Sequence, residues 1–283
     1  MANGWWLMLL NGHSGSKLEI IEQGNKLVLR KFSINSMRLV LQAEKQERYW
    51  GIIINESELA PFFRVPEIYK TTLDYVDMQF CNGISLLDVI AEKDISVLDI
   101  ILDHIFKLLQ WEFDISKQNW LNKGVLENKV ADLRSKIQDG KIYDILMDVE
   151  ANLVGVEVCT GICHGDFTFS NMLFSDKIIL LDFLDSFIET PIIDLTKLMQ
   201  EVRLRWSLIT NSDGRDVTKL NIGYDYLEEK FEPRLDKFIK DNALYPQTVY
   251  FFYLLTLIRI LPYCKSEKIY NIILKEIYYK GGY

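Results

Sequence analysis

Proline and glycine are scarce in this sequence, with 6 and 15 examples among 283 residues. A collagen-like or linker-dominated architecture needs far more of both, so the sequence excludes these two classes. Hydrophobic residues make up 49% of the chain and charged residues 25%. This apolar fraction also excludes a disordered chain. The composition therefore predicts a folded chain with enough core for one large or two modest domains.

Cysteine is also rare, and the four examples are Cys81, Cys159, Cys163 and Cys264. A domain of this size folds without disulfide bonds, and so few thiols are typical of buried, reduced side chains in a cytoplasmic protein. Cys159, Cys163 and His164 have the donor types of a zinc site, but no further cysteine or histidine cluster completes a set of four ligands. We therefore expect free thiols and a cytoplasmic location.

Long hydrophobic runs and an excess of basic residues are both absent. The run Val249–Ile258 is too short to span a bilayer and predicts a buried helix. The run Trp5–Leu10 lacks the basic segment and the cleavage site of a signal peptide. Asp and Glu number 40 against 32 Lys and Arg, a net charge of −8 that repels phosphodiester backbones. We expect neither a membrane nor a nucleic acid as a partner.

Strand patterns dominate the first 80 residues. Apolar segments at Leu18–Glu22 and Lys26–Phe32 flank the turn residues Gln23-Gly24-Asn25, which predicts a hairpin. A helical pattern follows over Asn35–Trp50, and a strand-like pattern over Leu73–Phe80.

Helical patterns dominate the remainder. From Ser85 onwards, long amphipathic helices are interrupted once, by a strand-like segment over Met172–Phe183. We therefore predict an N-terminal lobe of residues 1–80 and a C-terminal lobe of residues 81–283, with a hinge near residues 78–83.

The strand-like segment in the second half has polar residues at both of its ends. Met172–Phe174 and Lys177–Leu181 are short apolar segments separated by a tight turn, which predicts a β-hairpin. Asn171 precedes the hairpin, Asp182 follows it, and Asp166 lies in the loop before it. An amide oxygen and a carboxylate are suitable ligands for Mg²⁺, and a second carboxylate can take a proton from an attacking hydroxyl. These are the components that phosphoryl transfer requires.

The same residues resemble a known family. The loop His164-Gly165-Asp166, with Asn171 five residues after the aspartate, resembles the catalytic loop of the aminoglycoside phosphotransferase and choline kinase superfamily. Asp194, at the head of a helical pattern, resembles the structural aspartate of that family. Gly12-x-Ser14-x-x-Lys17 resembles its nucleotide-covering loop, and the segment 78–83 resembles its hinge. The resemblance implies an α+β, two-lobed protein-kinase-like fold with a small β-rich N-lobe and a larger helical C-lobe.

The resemblance also implies roles for individual residues. Asp166 is implied to be the catalytic base or to orient the acceptor hydroxyl, and Asn171 and Asp182 are implied to hold Mg²⁺. His164 is implied to organise the loop as a buried side chain rather than to act as a catalyst. The residues implied to contact the nucleotide, ATP or GTP, are Ser14 in the covering loop, Gln79 and Cys81 through their backbone, and Arg30 and Glu44 as an ion pair near the phosphates.

Two members of this set have close competitors. Arg30 and Lys31 are neighbours on a strand, and alternation directs only one of them towards the nucleotide. The match of Leu27-Val28-Leu29 to the family pattern favours Arg30. Its acidic partner is Glu44 or Glu47, which lie three residues apart on one helical face. We favour Glu44.

The motif and the resemblance together predict a phosphotransferase that uses ATP or GTP and Mg²⁺. The acceptor would be a hydroxyl of a small molecule: a sugar or polyol, an amino-alcohol such as choline, or an aminoglycoside. The alternative is a pseudokinase or scaffold, which the intact Asp166, Asn171 and Asp182 argue against. Asp194 follows Asp182 by only twelve positions, a gap too short for the peptide-docking segment of a protein kinase. The glycine that follows Asp-Phe in protein kinases is Leu184 here, which predicts a metal loop that does not flip.

Overall fold

The computed structural model describes residues 17–24, 26–33, 35–211 and 214–282. The chain divides into two compact units. The N-lobe comprises the described residues up to Ile84 together with Met172–Asp185, and the C-lobe comprises Ser85–Asn171 together with the described residues from Ser186 onwards. The first unit is rich in strands and the second in helices, which confirms the predicted α+β class.

The N-lobe contains two sheets and one long helix. Its elements, numbered in chain order with those of the C-lobe, are β1 (Lys17–Gln23), β2 (Lys26–Phe32), α1 (Ser36–Asn55), β3 (Phe63–Arg64), β4 (Ile68–Thr71), β5 (Tyr75–Gln79), β8 (Met172–Phe174) and β9 (Ile178–Leu180). The first sheet is antiparallel, in the order β1-β2-β5-β4, and the second has the order β3-β9-β8. Because β9 pairs in parallel with β3, the hairpin segment groups with the N-lobe rather than with the helices that surround it in the sequence.

Packing against α1 determines which face each strand residue presents. The helix begins after Asn35, whose side chain accepts a hydrogen bond from the backbone N–H of Arg38. Leu29 of β2 packs against a buried cluster that α1 and β5 share, formed by Leu39, Ala43, Val76 and Met78. Since side chains alternate along a strand, Leu29 and Lys31 lie on the α1 side of the sheet and Arg30 lies on the opposite face.

The C-lobe is built mainly from helices. Its elements are α2 (Leu86–Glu92), α3 (Val97–Ile115), β6 (Lys117–Trp120), α4 (Lys123–Lys136), α5 (Gly140–Leu153), β7 (Glu157–Thr160), α6 (Pro191–Leu204), α7 (Trp206–Asn211), α8 (Val217–Asp241), α9 (Pro246–Ile258) and α10 (Glu267–Gly281). The antiparallel pair β6–β7 was not expected, because the sequence patterns indicated only one interruption of the helices. The predicted buried helix is α9. The four cysteines, all within the described residues, form no disulfide bond with one another.

Helix α6 is the central element of the C-lobe. Thr190 caps its first turn and Pro191 occupies its first position, two features that favour a helix start. It packs against α3, α8 and α9, and nearly all of its residues are buried. Residues on α6 therefore hold fixed positions relative to the loop that precedes β8. Within the described ranges, no helix combines the length and apolarity needed to cross a membrane.

Candidate functional site

The loop that contains Asp166 is anchored by the first turn of α6. Asp194 accepts hydrogen bonds from the backbone N–H groups of His164 and Gly165, the second at 2.7 Å. Asp194 and His164 are both fully buried, and His164 Nδ1 accepts a hydrogen bond from the backbone N–H of Asp166 at 3.3 Å. Gly165 has a φ of +89°, a conformation that favours glycine. The structural role predicted for Asp194 is confirmed by these contacts.

The carboxylate of Asp166 has a different donor on each oxygen. Lys197 Nζ lies 3.0 Å from Oδ1, and Asn171 Nδ2 donates to Oδ2 at 2.9 Å. The same Asn171 nitrogen donates to the Asp166 backbone oxygen at 2.8 Å. Burial alone would raise the pKa of Asp166, but the charge of Lys197 and the hydrogen bonds outweigh burial, so the pKa lies below its usual range. The geometry thus holds an ionised carboxylate in one orientation.

A buried acid fixes the far end of the same loop. Glu201 is fully buried and accepts four hydrogen bonds, from Phe169 N, Ser207 N, Ser207 Oγ and Tyr224 Oη. Burial raises the pKa of Glu201, and its hydrogen-bond donors oppose that shift. The loop is therefore attached to α6 beyond Asp166 as well as before it.

Sequence reasoning missed Lys197 and Glu201. Both lie on the helix that starts with the predicted structural aspartate, three and seven residues after Asp194. That spacing places all three side chains on one helical face. This spacing is visible in the sequence, but it indicates contacts with the loop only once Asp194 is known to face that loop.

The N-lobe supplies the other predicted metal ligand, Asp182. This residue follows β9 and has a φ of +57°, the left-handed conformation that few residues other than glycine adopt. Lys31 Nζ lies 2.7 Å from Asp182 Oδ1, and the Lys31 side chain is only 11% exposed. A buried cation from β2 therefore contacts the aspartate directly.

This contact corrects the expectation for Arg30. The Arg30 guanidinium donates through two nitrogens to Asp77, at 2.6 and 2.8 Å, and stacks on the Tyr75 ring. Arg30 and Asp77 are direct partners across the β2–β5 pair, on the sheet face away from α1. The basic residue beside the predicted metal ligand is consequently Lys31, the competitor that the sequence pattern did not favour.

The expectation for Glu44 also needs correction. Glu44 and Glu47 are both exposed, on the side of α1 that faces away from the sheet. The small cavity beside Lys31, about 10 Å³ in volume, is lined instead by two α1 glutamines, Gln42 and Gln46. The helix turns these amides, rather than either carboxylate, towards Lys31.

Side chains from α1 hold the segment that follows Asp182. The rings of Tyr49 and Phe183 lie 4.9 Å apart. Lys45, which is buried, donates to the backbone oxygen of Leu184 at 2.7 Å. Arg38 lies 3.6 Å from Asp185, an exposed residue that the sequence alone could not assign. Together with Lys31 on Asp182, these contacts give each residue of 182–185 a partner on β2 or α1.

The predicted adenine-contacting residues lie at the end of β5 and just beyond it. The backbone N–H of Gln79 donates to the backbone oxygen of Glu67, the residue before β4, at 2.8 Å, so this N–H already has a partner. Cys81 is half-buried, and burial raises the pKa of its thiol. Ser14 and the predicted nucleotide-covering loop lie outside the described residues.

Each of the two predicted metal ligands offers an oxygen atom of a type that Mg²⁺ accepts. Asp182 offers a carboxylate that is 46% exposed, and Asn171 offers its amide oxygen, because its nitrogen is held by Asp166. Mg²⁺ takes one or two carboxylates together with substrate phosphates and water. In the part of the chain that the structure describes, no group of three or more His, Cys, Asp or Glu side chains forms a site for a metal.

A family model matches most of the sequence. The model of the phosphotransferase enzyme family, APH, matches residues 9–233 of the sequence. No curated protein matches the sequence.

Solved structures show the same fold at low sequence identity. A glucosamine kinase in complex with glucosamine, ADP and inorganic phosphate has a TM-score of 0.53 at 9% identity, over 95% of this chain and 78% of that one. APH(2″)-IIa in complex with gentamicin has a TM-score of 0.51 at 14% identity, over 98% and 97%. A putative fructosamine-3-kinase from Haemophilus somnus has a TM-score of 0.50 at 12% identity, over 95% and 89%. The chain has the two-lobed protein-kinase-like fold that its sequence predicted.

Proposed function

This chain belongs to the phosphotransferase enzyme family, and from that premise we propose that it moves the γ-phosphate of ATP or GTP, with Mg²⁺, to a hydroxyl of a small molecule. The acceptor classes are a sugar or polyol, an amino-alcohol such as choline, and an aminoglycoside. The observation that carries the proposal is the Asp166 carboxylate, which two different side chains orient at the centre of a loop anchored on both sides.

The proposed step transfers one phosphoryl group and one proton. The acceptor hydroxyl oxygen attacks the γ-phosphorus, and the bond from that phosphorus to the β–γ bridging oxygen breaks. Asp166 accepts the hydroxyl proton, and the nucleoside diphosphate leaves. The ionised state of Asp166, which the charge of Lys197 favours, is the state that can accept the hydroxyl proton. Positioning and electrostatics supply most of the rate of such a transfer.

Other residues would bind the nucleotide and its metal. Asn171 and Asp182 would hold Mg²⁺ through oxygen atoms, and Lys31 would contribute positive charge beside Asp182. Bound Mg²⁺ would neutralise negative charge on the β- and γ-phosphates. The adenine or guanine edge would meet the backbone of Gln79, through its carbonyl oxygen, and of Cys81.

An assay of nucleotide consumption tests the proposal. Purified protein with ATP or GTP and Mg²⁺ is incubated with a panel of sugars, amino-alcohols and aminoglycosides, and products are identified by mass spectrometry. We expect one acceptor class to yield a phosphate monoester. Asp166→Asn should lower kcat by about 10²-fold or more and leave nucleotide affinity nearly unchanged, because it removes the proton acceptor alone.

A matched variant controls for the loss of one carboxylate. Asp144 is an exposed aspartate on α5, so Asp144→Asn should keep the kcat of the wild type. Equal kcat values for Asp166→Asn and the wild type would exclude Asp166 from the reaction. Nucleotide binding without transfer to any acceptor or to water would favour the pseudokinase alternative.

A further inference from the structure

One face of α6 holds the loop at residues 164–169 in three places. Asp194 accepts from the backbone before Asp166, and Glu201 accepts from the backbone N–H of Phe169 beyond it. Between them on the same face, Lys197 contacts the loop through the Asp166 carboxylate. The two acids bind the backbone, whereas the lysine binds the side chain of the proposed catalytic residue.

Lys197 therefore has a different role from the two acids, which anchor the backbone of the loop. Asp194 and Glu201 already fix the backbone on both sides of Asp166, at buried positions. Lys197 adds a positive charge at one carboxylate oxygen, 3.0 Å away, while its own side chain is only 12% exposed. Ordering a lysine and withdrawing it from water is unfavourable, so a contact of this kind needs a compensating interaction, which the Asp166 carboxylate supplies.

We propose that Lys197 is a positioning residue for phosphoryl transfer, which holds the Asp166 carboxylate in the orientation that meets the acceptor hydroxyl. The inference rests on the proposed function. Lys197 occupies Oδ1 and Asn171 occupies Oδ2, so the carboxylate cannot rotate without losing one of its two donors. The lysine charge also offsets the repulsion between Asp166 and a phosphate that approaches it.

Lys197→Met and Lys197→Arg test the role. Methionine keeps much of the volume and removes the charge, so we expect kcat to fall by about 10²-fold, the size of loss that misplacing a reacting group causes. The nucleotide KM and the melting temperature should change little, because the loop backbone keeps its contacts with Asp194 and Glu201. Lys197→Arg retains the charge and should recover part of kcat. Should Lys197→Met fail to fold, Lys197→Gln removes the charge but keeps a hydrogen-bond donor, and the same comparison applies.

A matched lysine controls for the loss of a partly buried ion pair. Lys129 on α4 pairs with Asp132 at 3.2 Å, and its side chain is 20% exposed. Lys129→Met should keep the wild-type kcat. A kcat for Lys197→Met equal to that of Lys129→Met, or a fall in melting temperature with kcat retained, would overturn the positioning role.

A double variant shows whether Lys197 acts through Asp166. In the Asp166→Asn background, Lys197→Met should cause little further loss of kcat, because two residues that act as a unit give non-additive losses. Fully additive losses would overturn the inference. If the wild type transfers phosphate and Lys197→Met has the same kcat, the role of Lys197 is overturned and the proposed function is not. A wild type without transferase activity would overturn the proposed function and, with it, this inference.

Discussion

The glutamate at the far end of the catalytic loop offers a test of how α6 holds that loop. Glu201 Oε1 accepts from Ser207 N and Tyr224 Oη, both at 2.9 Å. Its Oε2 accepts from Phe169 N at 3.0 Å and from Ser207 Oγ at 2.9 Å. Each carboxylate oxygen therefore faces one backbone N–H. The isosteric change Glu201→Gln must place an NH₂ group against a backbone N–H in either orientation of the amide.

This geometry sets the size of the effect. A buried donor left without an acceptor costs about 1–3 kcal/mol, and the remaining bonds lose the charge that strengthens them. We therefore expect Glu201→Gln to lower the free energy of unfolding by about 2–4 kcal/mol. For a chain of this size, such a change lowers the melting temperature by roughly 3–7 °C. Turnover should fall as well, because the attachment at Phe169 supports the loop that carries Asp166.

Thermal and urea denaturation followed by circular dichroism measure the loss. Glu127 is the matched control, since its pair with Lys123 is exposed and 3.5 Å long. Glu127→Gln should change the free energy of unfolding by less than about 1 kcal/mol. Equal melting temperatures for Glu201→Gln and the wild type would refute the four-donor arrangement. A loss in Glu201→Gln no larger than that in Glu127→Gln would refute it too.

Two further predictions concern the opposite faces of β2. Lys31→Met should weaken nucleotide binding and lower kcat, because it removes the positive charge that lies 2.7 Å from Asp182. Arg30→Met should lower the melting temperature, because it removes the ion pair with Asp77, and should keep kcat near that of the wild type. Kinetics and thermal melts on both variants measure this, and the reverse pattern would return the role to Arg30. The hydrogen bonds from Arg30 hold the pKa of Asp77 in the folded protein below its usual range. The pair therefore stabilises the fold fully at a pH above the usual pKa of an aspartate, and this stabilisation is lost as the pH falls through the lowered pKa of the folded state. Asp77→Asn should therefore melt lower at neutral pH and lose less stability on acidification; parallel melting curves across a pH series would contradict this.

Elements with strong local signals were predictable from the sequence. The β1–β2 hairpin follows from two apolar segments around a glycine turn, and Gly24 adopts the positive φ that such a turn uses. Helix α1 starts where Asn35 can cap it. The roles of Asp194 and of buried His164 followed from their place in the motif. Strand β6 carried no such signal, because all four of its residues, Lys117–Trp120, are exposed and show no alternation of polarity.

The choice between neighbouring residues depended on tertiary packing. Arg30 and Lys31 are both basic, so the sequence pattern of β2 does not show which of the two faces α1. Only the position of α1 on one face of the sheet decides between them. That helix buries Lys45 and Gln46, two polar residues, on its inner side. Polarity along α1 therefore did not identify the exposed side on which Glu44 lies. Tertiary contacts outweighed the local pattern at both positions.

The contacts of α1 also explain how the segment 182–185 keeps a conformation without a glycine. Asp182 has a positive φ, which is costly for a residue with a side chain and persists only where the surroundings impose it. Lys31 binds Asp182, and three α1 residues bind the next three positions: Tyr49, Lys45 and Arg38. A flip of the segment would break a hydrogen bond to a buried lysine and a buried ring contact at the same time. Leu184 stands where protein kinases have a glycine, and α1 binds its carbonyl oxygen. Both features oppose movement of Asp182, the aspartate proposed to hold Mg²⁺.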